Sequence, residues 1–313
     1  MGRDLFDARR ESWKSEGDLT AFNLAIVAEG LDIIKKLAEE NVGGETVEKR
    51  LGEFKSWDPE VYRVDKDTEN AYVARLRAWG KSLVLLSEEA GRVAINADKG
   101  PPEFYVVCDP FDGSYLFKHG IPDFWYSSLA FFDRNFNPVS CAVGDCVQGK
   151  IAFANERGAF IADLQGAQLV HKFQLNAQYR ERMGRKLQTD FADASIESYA
   201  MKPKKFLTPL VDEYREFMEL FKFFLPNGGP YGFVDVAEGK IDCYFARKQP
   251  YVDIFSGIFI AQQAETVVTD FEGNPVRADD NVKSVRDVVA TTNRALHEKV
   301  LAKIAECKCK RGR

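Results

Sequence analysis

One apolar run in this chain ends directly in charge, and this constrains the fold more than any other feature. The run from Phe104 to Cys108 is followed at once by Asp109-Pro110-Phe111-Asp112-Gly113-Ser114. A short apolar run of this length is typical of a buried strand, and Asp-Pro and Asp-Gly are turn dipeptides. The pattern therefore predicts a buried strand that delivers two carboxylates, those of Asp109 and Asp112, into one turn.

The residue types in this turn favour metal-assisted phosphate chemistry. Carboxylates such as Asp109 and Asp112 supply the oxygen ligands that Mg²⁺ takes. Gly113 lets the backbone turn tightly. Ser114 offers a hydroxyl and an amide at the start of a predicted helix, where free amides suit a phosphate. The alternative is an ordinary structural turn. Whether other acidic residues of the chain could lie near this turn decides between the two interpretations.

The composition excludes several classes of protein. The chain has 313 residues, of which 45% are apolar and 29% charged, so it is long enough for two globular halves with real cores. Its net charge of −5 argues against a nucleic-acid partner. No apolar stretch approaches the roughly 20 residues that span a bilayer, and residues 1–11 lack an apolar signal core, so we expect no membrane partner and a cytoplasmic location. With three histidines, a His-based zinc site or triad is not expected.

The order of the predicted elements favours an α+β fold over a Rossmann fold. Two helical patterns, 18–40 and 65–79, precede a run of short strands between 82 and 162 rather than alternating with them. We expect a loosely ordered segment over 1–17, an N-terminal α+β half over 18–165 that carries the metal and phosphate site, and a C-terminal α/β half over 166–313 with Asp253.

Five acidic residues open or follow apolar elements: Asp65, Glu88, Asp109, Asp112 and Asp253. Charge at the end of a buried element needs compensation, and a set of Mg²⁺ ions would supply it. Such ions can also activate water and stabilise a leaving oxygen in phosphoryl transfer. The alternative for Asp65 and Asp253 is that each is simply the N-cap of its helix.

Three blocks of this sequence resemble the inositol monophosphatase and fructose-1,6-bisphosphatase superfamily of Mg²⁺-dependent phosphatases. Ser87-Glu88-Glu89 resembles the family's Gly-Glu-Glu after a strand, and the hexapeptide 109–114 resembles its Asp-Pro-Ile/Leu-Asp-Gly-Thr/Ser motif. Val252-Asp253 is similar to the family's Trp-Asp block, with Val in place of Trp. Asp65 lies where the family has a water-activating Asp. The resemblance covers about 19–304.

The resemblance implies the metal ligands. Glu88, Asp109 and the main-chain carbonyl of Phe111 would hold a first Mg²⁺. A second ion would be held by Asp109, Asp112 and Asp253. The family fold would be a layered α/β/α/β/α sandwich of two similar-sized halves with the site between them, and the family pattern also implies a homodimer.

The resemblance also implies which residues act on the substrate. Asp65 and Glu88 would approach a third, more weakly held ion. Asp65 and Ser114 would orient and deprotonate the attacking water, and Glu88 is counted with them among the catalytic groups. The amides of Gly113 and Ser114 would bind the phosphate.

The substrate side departs from the inositol-preferring pattern. Those members carry a Glu seven residues before the third-block Asp, and this chain has Ala246 there, followed by Arg247 and Lys248. These two cations are candidates for a second phosphate, with solvated loop charges as the alternative. Gly229 lies in the stretch that corresponds to the sugar-facing residues of the family.

The sequence thus predicts a Mg²⁺-dependent phosphomonoesterase with two or three ions. Its substrate would be a small sugar or polyol phosphate of the inositol monophosphate or fructose 1,6-bisphosphate type. A 3′(2′),5′-bisphosphate nucleotidase and a histidinol-phosphatase of the same family are alternatives. A catalytically silent protein that binds metal or phosphate is the alternative of another class.

Overall fold

A computed structural model describes residues 4–50, 56–281 and 284–311. The chain divides into two compact units. The first unit holds the described residues of Met1–Phe173 and Ala278–Lys283, and the second holds those of Gln174–Arg277 and Ser284–Arg313. In both units helices pack on mixed sheets, which confirms the predicted α+β class.

The described part of the first unit is built on one large sheet. Its helices are α1 (Leu5–Ser12), α2 (Asp18–Glu39), α3 (Arg63–Trp79) and α4 (Ser114–Lys118). Its strands are β1 (Thr46–Lys49), β2 (Glu60–Tyr62), β3 (Leu83–Ser87), β4 (Gly91–Ile95), β5 (Phe104–Asp112), β6 (Tyr126–Phe132), β7 (Pro138–Asp145), β8 (Lys150–Asn155), β9 (Gly158–Gln165) and β10 (Gln168–Leu175). Strands β1 and β2 pair with each other, and the others lie in the order β10-β9-β8-β7-β6-β5-β3-β4.

An aromatic cluster fixes α2 and α3 against this sheet. The Phe22 ring stacks on Trp79 with centroids 4.7 Å apart, and Trp79 meets Phe131 edge-on at 5.7 Å. Phe22 and Phe131 are fully or almost fully buried. Aromatic pairs in these geometries add to the stability gained by burying their surface.

The N-terminal segment corrects one prediction. Loose order was expected over 1–17, but the described part contains α1, and Phe6 packs edge-on against Phe22. Arg9, only 2% exposed, pairs with Asp32 at 2.5 Å and donates to the Gly166 carbonyl at 2.9 Å. Buried contacts therefore order a segment whose composition is polar; residues 1–3 of the predicted segment lie outside the described residues.

The second unit has a smaller sheet with helices around it. Its described helices are α5 (Ala177–Arg182), α6 (Thr208–Met218), α7 (Pro230–Glu238), α8 (Tyr251–Gln263) and α9 (Arg294–Arg311). Its described strands are β11 (Ser195–Glu197), β12 (Phe223–Leu225), β13 (Cys243–Pro250), β14 (Val267–Asp270) and β15 (Val285–Thr291), in the order β12-β11-β13-β15-β14. Helix α6 ends at Met218, and the residues 223–225 that follow it pair with β11 as a strand.

Helices α7 and α8 approach each other closely at a glycine. A Cβ on Gly257 would lie 2.1 Å from the Pro230 carbonyl oxygen, so only glycine fits there. The aromatic side chains of α6, Tyr214 and Phe217, are buried in the core of this unit. Among the described helices, none combines the length and the apolar character required to cross a membrane.

His297 gives the second unit a measurable dependence on pH. Its ring nitrogens lie 3.0 Å from the Thr291 hydroxyl and 2.9 Å from the Thr269 hydroxyl, and burial, with Arg294 nearby, lowers the pKa of His297 to about 4. The unfolded chain, with a pKa of about 6.5, binds more protons between these values, so stability falls as the pH falls through this window. We expect His297→Gln to reduce the loss of urea midpoint between pH 7.5 and pH 5.0.

The matched control for this measurement is His119→Gln, because His119 is an exposed histidine of the first unit. It should keep the pH dependence of the wild-type protein. An unchanged loss of midpoint in His297→Gln would show that other groups control the acid sensitivity.

Candidate active site

The parallel pairing of β3 with β5 brings two carboxylates together. Ser87 and Cys108 are partners in this pairing, so the residues that follow them, Glu88 and Asp109, lie side by side where β3 ends. One carboxylate oxygen of each lies within 4.8 Å of the other. Glu88 is 8% exposed and Asp109 is 2% exposed. Two buried carboxylates at this separation are a hard-oxygen donor set of the kind that Mg²⁺ takes.

The strand that carries Asp109 runs further than expected. A turn was predicted from Asp109, but β5 continues to Asp112, because two of its residues face the single residue Ser127 of β6. Such a bulge bends a strand and re-aims its side chains. The Ser127 hydroxyl donates to the Pro110 carbonyl at 2.7 Å and so holds the bulge.

Gly113 is the residue that allows the chain to leave this strand. Its φ of +112° lies in the region that favours glycine, and a Cβ there would lie 2.3 Å from the Phe124 carbonyl oxygen. Helix α4 begins immediately afterwards at Ser114, as predicted, and Phe117 donates its N–H to the Gly113 carbonyl at 3.0 Å.

Asp65 and Ser114 form a hydrogen-bonded pair beside the bulge. The Ser114 hydroxyl lies 2.5 Å from Asp65 Oδ1 and 3.2 Å from the Phe111 carbonyl oxygen. Asp65 Oδ2 accepts the N–H of Tyr62 at 2.7 Å. Asp65 is therefore not the N-cap that the sequence suggested: Tyr62 is the cap, and Asp65 lies in the first turn of α3, where its carboxylate caps in return.

Negative charge is concentrated around these residues. Burial raises the pKa of Asp65 well above its usual range, with Glu88 adding to the effect and Ser114 and Tyr62 opposing it. Burial likewise raises the pKa of Glu89, with the charge of Glu88 as the next cause. A cation bound among these carboxylates would offset this cost.

Sequence reasoning missed one functional neighbour, Arg50. Its Nη2 lies 2.8 Å from Glu88 Oε1 and also contacts Glu89 Oε1. Its Nη1 donates to the carbonyl oxygens of Asp58 at 2.6 Å and Glu60 at 3.3 Å. Burial opposes the charge on Arg50, but Glu88 and Glu89 raise its pKa above its usual range. The available signal was the unexplained pair of adjacent glutamates after a buried strand.

In the second unit, Asp253 lies in the first turn of α8 and is half-buried. It is not the N-cap of that helix, since Pro250 occupies the cap position. Gly229 is buried and directly precedes α7 with a φ of +72°.

The two candidate substrate cations differ in their surroundings. The Arg247 guanidinium is 6% exposed and makes a two-point ion pair with Glu213, one contact being 2.6 Å from Nε to Oε2. Because Glu213 belongs to the same unit, this ion pair indicates that Arg247 stabilises the structure of that unit. Lys248 is exposed at the neighbouring position, with its N–H donating to Asp287 at 2.8 Å.

The model of the inositol monophosphatase family matches residues 16–308. This chain belongs to the inositol monophosphatase family. The match covers nearly the whole chain and confirms the resemblance read from the sequence blocks. The family is one of metal-dependent phosphatases, which are phosphoric monoester hydrolases, so the predicted enzyme class is also confirmed.

Named relatives of the chain have more than one role. A fructose-1,6-bisphosphatase/inositol-1-monophosphatase of Methanothermobacter thermautotrophicus is 24% identical over 242 residues, covering 76% of this chain and 81% of that protein. The Nus factor SuhB of Vibrio cholerae is 27% identical over 213 residues, covering 68% and 72%. The structure of an inositol monophosphatase from Thermotoga maritima matches with a TM-score of 0.69 at 16% identity, covering 94% of this chain and 99% of that one, which confirms the family fold.

We expect Gly113→Ala to destabilise the first unit and to disrupt the turn. The new Cβ would meet the Phe124 carbonyl oxygen, and the positive φ would add strain. The melting temperature should fall by several degrees, as expected for a cost of more than about 2 kcal/mol. Differential scanning calorimetry measures this.

The matched control is Gly120→Ala. Gly120 also has a positive φ, +65°, but a Cβ there meets no atom within 4 Å among the described residues. It should therefore cost only the backbone strain of about 1 kcal/mol. Equal melting temperatures for the two variants would contradict the close approach at Gly113.

Proposed function

We propose that this protein is a Mg²⁺-dependent phosphomonoesterase that hydrolyses a small sugar or polyol phosphate. The observation that carries the proposal is the pair of buried carboxylates, Glu88 and Asp109, within 4.8 Å of each other. Hard-oxygen donors this close and this well buried suit a divalent cation better than a structural role.

The residues of the first unit fit the group that the family binds. Glu88, Asp109 and the carbonyl of Phe111 would hold one ion, and Asp109 and Asp112 would contribute to a second, to which the family pattern also assigns Asp253. When bound, such ions neutralise charge on the phosphoryl oxygens and make water easier to deprotonate. We keep two or three ions as the proposed number.

Asp65 and Ser114 are the proposed groups that act on the water. The Ser114 hydroxyl is held 2.5 Å from Asp65, so a water next to Ser114 could pass a proton through this hydrogen bond. A carboxylate whose pKa is raised by burial is the stronger base. The amides of Gly113 and Ser114, at the bend after β5, are the proposed phosphate donors.

The substrate assignment follows the relatives whose names state an activity. One relative, from Pyrococcus furiosus, is named as a fructose-1,6-bisphosphatase. Another, from Thermococcus kodakarensis, is named as a fructose-1,6-bisphosphatase/inositol-1-monophosphatase. Ala246 is buried in β13 and cannot accept a hydrogen bond from an inositol hydroxyl through its side chain. This favours a sugar bisphosphate, whose second phosphate Lys248 could meet, over inositol monophosphate.

Three other functions of the same site can be tested. A bisphosphate nucleotidase, a histidinol-phosphatase, and a protein that binds metal or phosphate without turnover are the competing proposals. A homodimer and a cytoplasmic location are part of our proposal.

We expect phosphate release from fructose 1,6-bisphosphate or inositol 1-phosphate to require Mg²⁺ and to be lost in Asp112→Asn. The substitution removes a negative ligand and should lower kcat at least about 100-fold, as removal of charge stabilisation in a transition state does. The measurement is inorganic phosphate release with and without millimolar Mg²⁺ or EDTA.

The control is Asp98→Asn, which changes an exposed aspartate of the same unit and should leave the rate unchanged. Full activity in Asp112→Asn would remove that residue from the metal site. Mg²⁺-dependent stabilisation without turnover of any phosphate ester would favour the silent binding protein.

We expect Ser114→Ala to lower kcat by about 100-fold or more while KM changes little. The hydroxyl would act on the water in the transition state rather than on the bound substrate. Ser114→Thr keeps a hydroxyl and should restore most of the rate. A loss that appears only in KM would instead make Ser114 a phosphate-binding group.

A further inference from the structure

We propose that Arg50 is a built-in cation of the carboxylate site, and that a divalent ion must compete with it for Glu88. This inference rests on the metal site of the proposed function and concerns its regulation. It assigns to Arg50 a role as an internal counterion that sets how tightly the ion binds.

Buried contacts on both sides hold the Arg50 guanidinium in one position. Its side chain is 9% exposed, and the two carboxylates that it joins are also buried, with Glu88 8% and Glu89 3% exposed. The other arm of the fork donates to the main-chain carbonyls of Asp58 and Glu60. Main-chain anchors on one side and carboxylates on the other fix the direction of the fork.

The competition concerns one oxygen of Glu88. Arg50 Nη2 lies 2.8 Å from Glu88 Oε1, which is a charge-assisted hydrogen bond. A divalent ion bound to the Glu88–Asp109 pair either takes this oxygen from Arg50 or lies beside the guanidinium charge. Either arrangement weakens ion binding, since like charges repel strongly in a poorly solvated site.

Arg50 also accounts for how the protein tolerates these carboxylates without an ion. The side chains of Asp65, Glu88 and Glu89 are all buried. An uncompensated buried charge is strongly destabilising. The guanidinium offsets part of this cost, so the ion-free protein can fold and then exchange one cation for another.

The chain offers a matched ion pair that lacks these features. Arg63 also joins two carboxylates, Glu45 and Asp67, at 3.1 Å each, but its side chain is 45% exposed and those of its partners are 50% and 41% exposed. A surface fork of this kind contributes little. Arg63→Gln therefore controls for the loss of an arginine in the same unit.

The test is calorimetric titration of the purified full-length chain with Mn²⁺, without substrate. We expect R50Q to bind Mn²⁺ about tenfold or more tightly than the wild-type protein, as loss of a charge-assisted competitor implies. R50K keeps the charge but not the fork and should bind with intermediate affinity, while R63Q should match the wild type. The double variant R50Q/E88Q should lose the gain.

Thermal melts give a second readout. Ion-free R50Q should melt below the wild-type protein, and saturating Mn²⁺ should close most of the gap because the ion then compensates the carboxylates. If R50Q does not fold, R50K decides, and an affinity equal to that of the wild type overturns the inference.

The two proposals fail differently. If neither the wild-type protein nor R50Q binds Mn²⁺ at millimolar concentration, the metal site of the proposed function is wrong. If the wild-type protein binds Mn²⁺ and folded R50Q binds it no more tightly, the metal site stands and the role of Arg50 is wrong.

Discussion

The parallel pairing of β3 with β5 is the constraint on which the site in the first unit depends. The parallel register sets Ser87 opposite Cys108, so residues far apart in sequence, Glu88 and Asp109, lie side by side where β3 ends. The neighbours of this pair are antiparallel: β4 pairs with β3, and β6 with β5. One parallel pair inside an otherwise antiparallel neighbourhood therefore decides where the acidic groups meet.

The close approach of these carboxylates costs free energy, and hydrogen bonds and an ion pair from the surrounding residues offset part of this cost. Tyr62 and Ser114 donate hydrogen bonds to Asp65, and Arg50 lies between Glu88 and Glu89. These donors stabilise the charged forms, whereas burial favours the neutral ones. A site balanced in this way is suited to an exchangeable cation.

The sequence predicted the local parts of this site well, because local chemistry determines them. The strand that begins at Phe104, the helix start at Ser114 and the bend at Gly113 all follow from apolar runs and turn residues, and the structure contains them. The bulge in β5 was not predictable, since it depends on the hydrogen bond from Ser127, a residue of another strand. The order of the N-terminal segment was missed for the same reason: Phe6 and Arg9 find their partners only in the folded unit.

Arg50 and Arg247 show the same limit for charged residues. Sequence reasoning did not single out Arg50, and it treated Arg247 as a candidate for a second phosphate, with a solvated loop charge as the alternative. The structure gives each a carboxylate partner: the buried Glu88 for Arg50 and the partly exposed Glu213 for Arg247. The difference is chemical: Glu213 pairs with Arg247 inside one unit, whereas Glu88 also has the Asp109 carboxylate within reach of a common ion. An arginine paired to half of a carboxylate donor set can regulate what binds there.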